Sequence, residues 1–358
     1  MANRLAKQIA EKFHLKLTPE LVDWFDGGWE APIDGEYDQA EDPAFFFDPA
    51  KTVVWGGQML PDTLPIIGNG GGDVLSVRFN GDGSPKELIR WLHEGGSWIP
   101  AGESIGEALR AVRGEFTESI STNNALLRRE QCLRCLRSPL HAASIEIGGR
   151  RLAKRIGVPW PEFEPWLRDH SLIPLPQQEL LSAELKIPRE ELLYQDWDGA
   201  AAQAAELAAV RQDLVWPFIL MGYAQERAGR IEEAVRHYSD GALALGTTAS
   251  FTESWSSSKF NIARLAQLAP DSLQDPVASY VQAAEKRHGI RTWWGDRGKN
   301  SEAAGAMSAA YDAYYAAGWD DFYINDMEQI LADLARTSTA AGQPARAAIA
   351  DYHLQARL

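Results

Sequence analysis

Apolar positions recur at helical spacing from the first residues onward. Leu5, Ile9 and Phe13 are four apart and predict an amphipathic helix. Thr18 followed by Pro19 reads as a second helix start, with a capping hydroxyl and a proline at the first helical position. That helix carries Leu21, Val22 and Phe25 and ends at Gly27-Gly28. The pattern then changes to short apolar runs bounded by glycine: Thr52-Val53-Val54-Trp55, Leu64-Pro65-Ile66-Ile67, and Val74 to Phe79. In the last run Leu75, Val77 and Phe79 share one face, while Ser76 and Arg78 point to the other. Asn80-Gly81-Asp82-Gly83 offers the positive φ angles of a tight hairpin, and Glu87 to His93 reads as the return strand. Ser104 and Glu107 make a capping box ahead of Ala108, Leu109 and Val112. Helix, antiparallel meander, helix predicts an α+β domain over residues 1–120.

Seven prolines between 139 and 188 interrupt any long element, so 121–200 reads as a mixed helical, proline-rich connector with short helices near 149–156 and 188–194. After Ala200 helical periodicity dominates. Trp216 to Ala228 and Ile231 to Leu245 form an apolar-faced pair broken at Gly229, and Asn261 to Leu268, Pro276 to Arg287, Ala303 to Ala317 and Phe322 onward add helices. Leu334-Ala335, Gly342, Ala347 and Tyr352 echo Met221-Gly222, Gly229, Ala234 and Tyr238. The two turn glycines are 113 residues apart, which fits three units of about 38. Residues 201–358 are thus expected to be an all-α, helical-repeat-like domain.

Charge changes this picture in two places. The 358 residues hold 35 basic and 50 acidic side chains, a formal charge of −15. Such a balance argues against a general nucleic-acid or anionic-membrane binder and favours a protein partner with a basic surface. Ten of the acids fall between Glu20 and Asp48 with no Lys or Arg among them, and eight cations against two acids fall between Arg128 and Arg155. The basic stretch is expected to dock on the acidic one or on the helices. The acidic stretch is the candidate protein-binding surface, carried by Asp23, Asp26, Glu30, Asp34, Glu36, Asp38, Glu41 and Asp42 with Trp29 and Tyr37 interleaved. Cys132 and Cys135 make no disulfide framework, and no apolar run reaches membrane-spanning length. A charged, amphipathic start is unlike a signal peptide, so the expectation is a cytoplasmic protein in a reducing compartment.

The stretch Leu64 to Leu75, with Gly68-Asn69-Gly70-Gly71-Gly72-Asp73 at its centre, resembles the SUKH superfamily, the Smi/Knr type domain. The likeness continues through Ile89-Arg90-Trp91-Leu92-His93-Glu94 and Trp98 into the helix at 104–113, and covers residues 1–120. It implies a non-catalytic role: in bacterial members, immunity proteins that bind and neutralise a cognate toxin; in fungal members, regulators of cell-wall assembly that act through protein partners. Met221, Gly222, Gly229, Ala234 and Tyr238 resemble the small and aromatic positions of tetratricopeptide-type repeats, which implies a scaffold that recruits protein partners as the alternative.

No chemistry-bearing motif competes with that reading. Gly68 to Gly72 lacks the third glycine of a dinucleotide loop, where Asp73 stands, and lacks the Gly-Lys-Ser/Thr of a Walker loop. It is read as a strand-to-strand turn. His93-Glu94 is not followed by a histidine at Ser97, so no zinc-protease helix forms. Cys132 and Cys135 have no partner pair and read as small apolar side chains one turn apart. The seven histidines are scattered, and no nucleophile, base and orienting group stand together. No catalytic residue, metal or cofactor is expected. Trp293-Trp294 reads as a polar loop whose rings plug a groove between helix pairs.

Overall fold

A computed structural model describes residues 5–48, 54, 59–93, 98–117, 120–244, 258–286, 288–319 and 327–356. The first two helices form where periodicity and capping predict them. These are α1 (Leu5–Phe13), which buries Ala6, Ile9 and Phe13, and α2 (Pro19–Phe25), capped by Thr18 Oγ1 accepting from the Leu21 N–H at 3.3 Å. Five strands follow as an antiparallel meander in chain order: β1 (Gln39–Ala40), β2 (Thr63–Gly68), β3 (Val74–Phe79), β4 (Pro85–Trp91) and β5 (Trp98–Gly102). The two-residue edge strand β1 lies inside the acidic stretch, where charge hid it from pattern reading. The expected strand at 52–55 lies, Val54 apart, outside the described residues. Then α3 (Ile105–Val112) packs on β4 and β5.

Two local expectations are corrected. In the β3–β4 hairpin only Gly83 has positive φ, 84°, while Gly81 is seated against Gln343. At α3, Ser104 Oγ accepts from the Glu107 N–H at 3.1 Å, as a cap should. Glu107 however accepts from Glu103 rather than Ser104, at 2.8 Å, and also from the Ser121 N–H and the Asn124 side-chain amide. Asn124 in turn caps α4 (Ala125–Leu136), so one buried carboxylate ties the sheet domain to the first helix beyond it.

Every residue of β2 and β3 is buried, which requires cover on both faces of the sheet. Leu64, Val77 and Leu88, in cross-strand register, belong to the core with Leu75 and Phe79. On the other face Arg78 is only 7% exposed and donates to Tyr315, far along the chain. The face that carries Ser76 and Arg78 is therefore covered by helices. An aromatic cluster of Phe13, Phe25, Phe46 and Tyr352 makes a second seam between α1 and the last helix.

The middle stretch divides. A small unit of α5 (Pro139–Ile147), α6 (Gly149–Arg155), α7 (Trp160–Arg168), α8 (Leu175–Leu185) and α9 (Arg189–Leu192) has its own core of Leu140, Leu152, Phe163, Trp166, Leu181 and Leu192. It is inserted between α4 and its packing partner α10 (Trp197–Ala208).

From there neighbouring helices pack in chain order: α11 (Val215–Arg227), α12 (Ile231–Ala242), α13 (Ser258–Leu268), α14 (Val277–Ala284), α15 (Gly289–Ala303), α16 (Met307–Trp319), α17 (Met327–Ala340) and α18 (Pro344–Gln355). The architecture is thus an α+β domain followed by an all-α array. The pairs α11–α12 and α15–α16 repeat one design. Gly222 and Gly298 let Tyr238 and Tyr314 lie directly on the preceding helix. Those phenols donate to Glu226 and Glu302 at 3.0 and 2.7 Å, and Arg264 and Arg336 from the following helices clamp the same carboxylates. The turn glycines Gly229, Gly305 and Gly342 all have φ near +70° to +76°. The expected helix at Ala303–Ala317 is accordingly broken at Gly305, and the clearest internal copy is 76 residues away rather than 113. Trp293 and Trp294 are not in a loop. They sit in α15, where both rings stack edge-on to Tyr280. Among the described residues no helix is long and apolar enough to cross a membrane.

Candidate functional site

The glycine turn and the acidic stretch singled out in the sequence meet at one end of the sheet. Asn69 organises the turn. Its Oδ1 accepts from the N–H groups of Gly71 and Asp73 at 3.0 and 2.8 Å, and its backbone exchanges bonds with Gly72 and Asp73. Only Gly72 has positive φ, 89°, and a Cβ there would press on the His93 ring at 3.3 Å. Amides pointed at Asn69 cannot cradle a phosphate, so the turn is structural.

Asp73 is the hub beyond the turn. Its carboxylate accepts from the His93 backbone at 3.1 Å, faces His93 Nδ1 at 3.3 Å and pairs with Arg90 at 3.4 Å. Arg90 Nε donates to the Tyr37 hydroxyl at 2.7 Å and its guanidinium stands 3.7 Å from Glu36. The Asn69 amide reaches Glu36 at 3.2 Å, and a Cβ on Gly68 would stand 3.2 Å from Glu41. Tyr37, Glu36, Asn69, Asp73, Arg90 and His93 thus fasten the acidic segment to the sheet edge. Burial pushes the Tyr37 phenol above its ordinary value and raises the Glu41 carboxyl.

Within the acidic segment the side chains divide by job. Tyr37 is 1% exposed, so it is a core anchor and not a contact offered to a partner. Trp29 packs half-buried on the core. Asp26 accepts from the Ala6 N–H at 2.9 Å, and Asp42 caps the short helix Pro43–Phe47 through the Ala44 N–H at 2.9 Å. The carboxylates of Asp23, Glu30, Asp34 and Asp38 are exposed and make no hydrogen bond or ion pair among the described residues. Arg113 reaches this segment, but it donates to the backbone carbonyl of Asp34 and not to the side chain. Glu36 is exposed but shares Arg90. Trp91 and Trp98 face one another in register at 1% exposure each and are core.

The basic stretch is not spent on the acidic one. Arg128 pairs with Glu206 of α10, Arg134 and Arg137 with Glu130, and Arg155 with Glu184, while Arg150, Arg151 and Lys154 remain exposed. Cys132 is buried with its thiol toward the Ala200 carbonyl at 3.4 Å, and burial lifts it to about 12. Burial also raises Cys135. Sequence reading missed one polar pair: Ser138 Oγ stands 3.2 Å from His170 Nε2. Asp169 is adjacent in sequence but turns to Tyr223, Ser171 and Arg227, so among the described residues no carboxylate is hydrogen-bonded to that imidazole. Ser138 is instead the N-cap of α5, accepting from the His141 N–H. Among the described residues no group of three or more His, Cys, Asp or Glu is placed to hold a metal ion. Comparison with protein-family models, with curated proteins and with solved structures finds no match to this chain.

Proposed function

We propose that this chain is a non-catalytic, cytoplasmic protein-binding protein that uses the acidic segment at the sheet edge to occupy a basic surface on another polypeptide. The observation that carries the reading is the set of four exposed carboxylates, Asp23, Glu30, Asp34 and Asp38, with no cation paired to them among the described residues, on a segment fastened to the sheet edge through Tyr37 and Arg90. Uncompensated charge on a fixed surface steers and holds an oppositely charged partner more than it stabilises the fold. The SUKH-like sheet and glycine turn support the finer form of the proposal, an immunity-type inhibitor of a cognate bacterial toxin, since a nuclease-like toxin needs a basic surface for its substrate. The test is parallel affinity capture from the native lysate with the natural chain and with a variant carrying lysine at all four positions. The reading expects one basic polypeptide at stoichiometric amounts with the first and none with the second. Equal capture by both overturns it.

The regular helix pairs favour a second reading, a scaffold recruiting partners through tetratricopeptide-like repeats. A partner footprint on residues 200–358 rather than 20–48 would select it.

A further inference from the structure

Thr63 on β2, Arg78 on β3 and Glu87 on β4 stand in cross-strand register and form one row across the sheet. Both ends of the helical array attach to this row. From its beginning, Arg211 in the α10–α11 connection donates to Glu87 at 2.7 Å, and Asp213 stands 3.5 Å from Lys86. From its end, Tyr315 of α16 accepts from Arg78 at 3.1 Å, and His353 Nε2 of α18 donates to the Thr63 carbonyl at 2.9 Å. Arg78 also binds Asp62 at 2.9 Å and lies over the rings of Trp98 and Tyr315. A helical array is ordinarily open, each unit touching only its neighbours. Here its first and last turns close on the same three strands.

The closure is not fully satisfied. Asp62 Oδ1, Tyr311 Oη, Arg346 Nε and His353 Nδ1 are buried beside it without a hydrogen-bond partner among the described residues. They are neighbours: Arg346 lies over the Tyr311 ring at 4.8 Å, and Asp62 acts electrostatically on both Tyr311 and His353. None of these atoms finds a partner within the described chain for the open solvent it has left, which weakens the closed state relative to an open, solvated one.

We propose that the Thr63–Arg78–Glu87 row is a latch that opens as a unit before the rest of the chain unfolds, uncovering the helix-facing side of β3 and the sheet-facing sides of α16 and α18. Made bonds hold it shut and the unmet polar atoms beside them set it near release. While shut, the sheet is an occupant in cis of that side of the array, and no partner can bind there.

Two homologous substitutions separate these contributions. Tyr315→Phe removes a bond that is made; Tyr311→Phe removes a hydroxyl that is unmet. The probe is Ser76→Cys, two residues before Arg78 on the same face of β3 and buried in the closed form. Native Cys132, buried between α4 and α10, reports global unfolding in the same sample. Pulsed maleimide labelling, read at each thiol by mass spectrometry, should show the introduced thiol on β3 reacting faster than Cys132. Tyr315→Phe should speed labelling of the introduced thiol by about tenfold or more with Cys132 unchanged, and Tyr311→Phe should slow it. Labelling of the two thiols in step, a shift of the β3 thiol in the same direction in both variants, or no shift with Tyr311→Phe overturns the proposal. Should Ser76→Cys fail to fold, hydroxyl-radical footprinting of Trp98, 1% exposed beneath the Arg78 guanidinium, compared among the natural, Tyr315→Phe and Tyr311→Phe chains reads the same signs.

Discussion

Gly222 on α11 lies directly beneath the ring of Tyr238 on α12: a Cβ at this position would stand 2.5 Å from the ring carbon, and the same relation recurs between Gly298 and Tyr314 at 2.6 Å. Contact this close leaves no room for a methyl group, so Gly222→Ala and Gly298→Ala must push two packed helices apart. Each should lower stability by about 1–3 kcal/mol. Gly295, in the same helix as Gly298, has nothing within 4 Å of its Cβ direction. There alanine should raise stability by up to about 1 kcal/mol through helix propensity alone. Urea unfolding of the three variants checks the opposite signs.

Those positions show what a sequence reveals and what it hides. Periodicity located α1, α2 and most of the array, and the alternation in Val74 to Phe79 assigned its two faces. Local pattern could not tell that Arg78 is buried, because its partner Tyr315 is 237 residues away and the polar side chain looks the same whether solvent or a helix covers it. Trp293-Trp294 among charged residues looked like a loop, yet the rings fill the space beside Tyr280 and the charges take the outer side of α15. At the site, the glycine turn and the acidic stretch were legible separately. Their joining through Tyr37 and Arg90 was not, since a tyrosine among acids gives no hint that it is an anchor. The repeat does carry a local signal: Gly-x3-Glu-x2-Gly followed nine residues later by Tyr occurs at both 222–238 and 298–314.

Arg78 should be among the least replaceable charged residues. Methionine there would keep much of the volume but leave Asp62, 1% exposed, without the guanidinium it now faces, while Glu87 keeps Arg211. Breaking a buried pair in this way destabilises the closed form by about 3–5 kcal/mol, because Asp62 cannot recover its hydration while the helices cover it. Lys7→Ala, which removes an exposed pair with Glu11 at 3.6 Å, should change stability by less than about 0.5 kcal/mol. Equal effects of the two substitutions in chemical unfolding would contradict the burial argument.

Two buried histidines set a pH dependence. Burial lowers both His353 and His170 to about 4, so each is neutral in the folded chain and takes up a proton on unfolding whenever the pH is below its unfolded value near 6.5. Their contribution is complete above about pH 6.5 and is lost as the pH falls from there toward 4. His141 and His237 are shifted in the same direction by burial. Asp62, the acidic group that acts on His353, works against the shift without cancelling it. Stability should therefore fall as the pH drops from about 6.5 toward 4, with each group adding at most about 1.4 kcal/mol per pH unit. His353→Gln retains a donor toward the Thr63 carbonyl and should flatten the slope. An unchanged slope in that variant would assign the dependence to other groups.

The acidic segment should separate cleanly into residues that hold the fold and residues that meet a partner. Asp26 and Asp42 accept backbone N–H groups, so Asp26→Ala and Asp42→Ala should each lower stability by about 0.5–2 kcal/mol, as loss of a capping carboxylate does, while leaving association with a captured partner nearly unchanged. Asp23, Glu30, Asp34 and Asp38 make no such side-chain bonds among the described residues, so lysine at all four should leave stability within about 1 kcal/mol. It should slow association by about tenfold or more at low salt, and the difference should shrink as ionic strength rises and screening shortens the reach of the charges. Association rates by stopped flow across a salt series, beside unfolding midpoints for all three variants, make the comparison. If the quadruple variant loses stability rather than association rate, those four carboxylates serve the fold and the partner surface lies elsewhere.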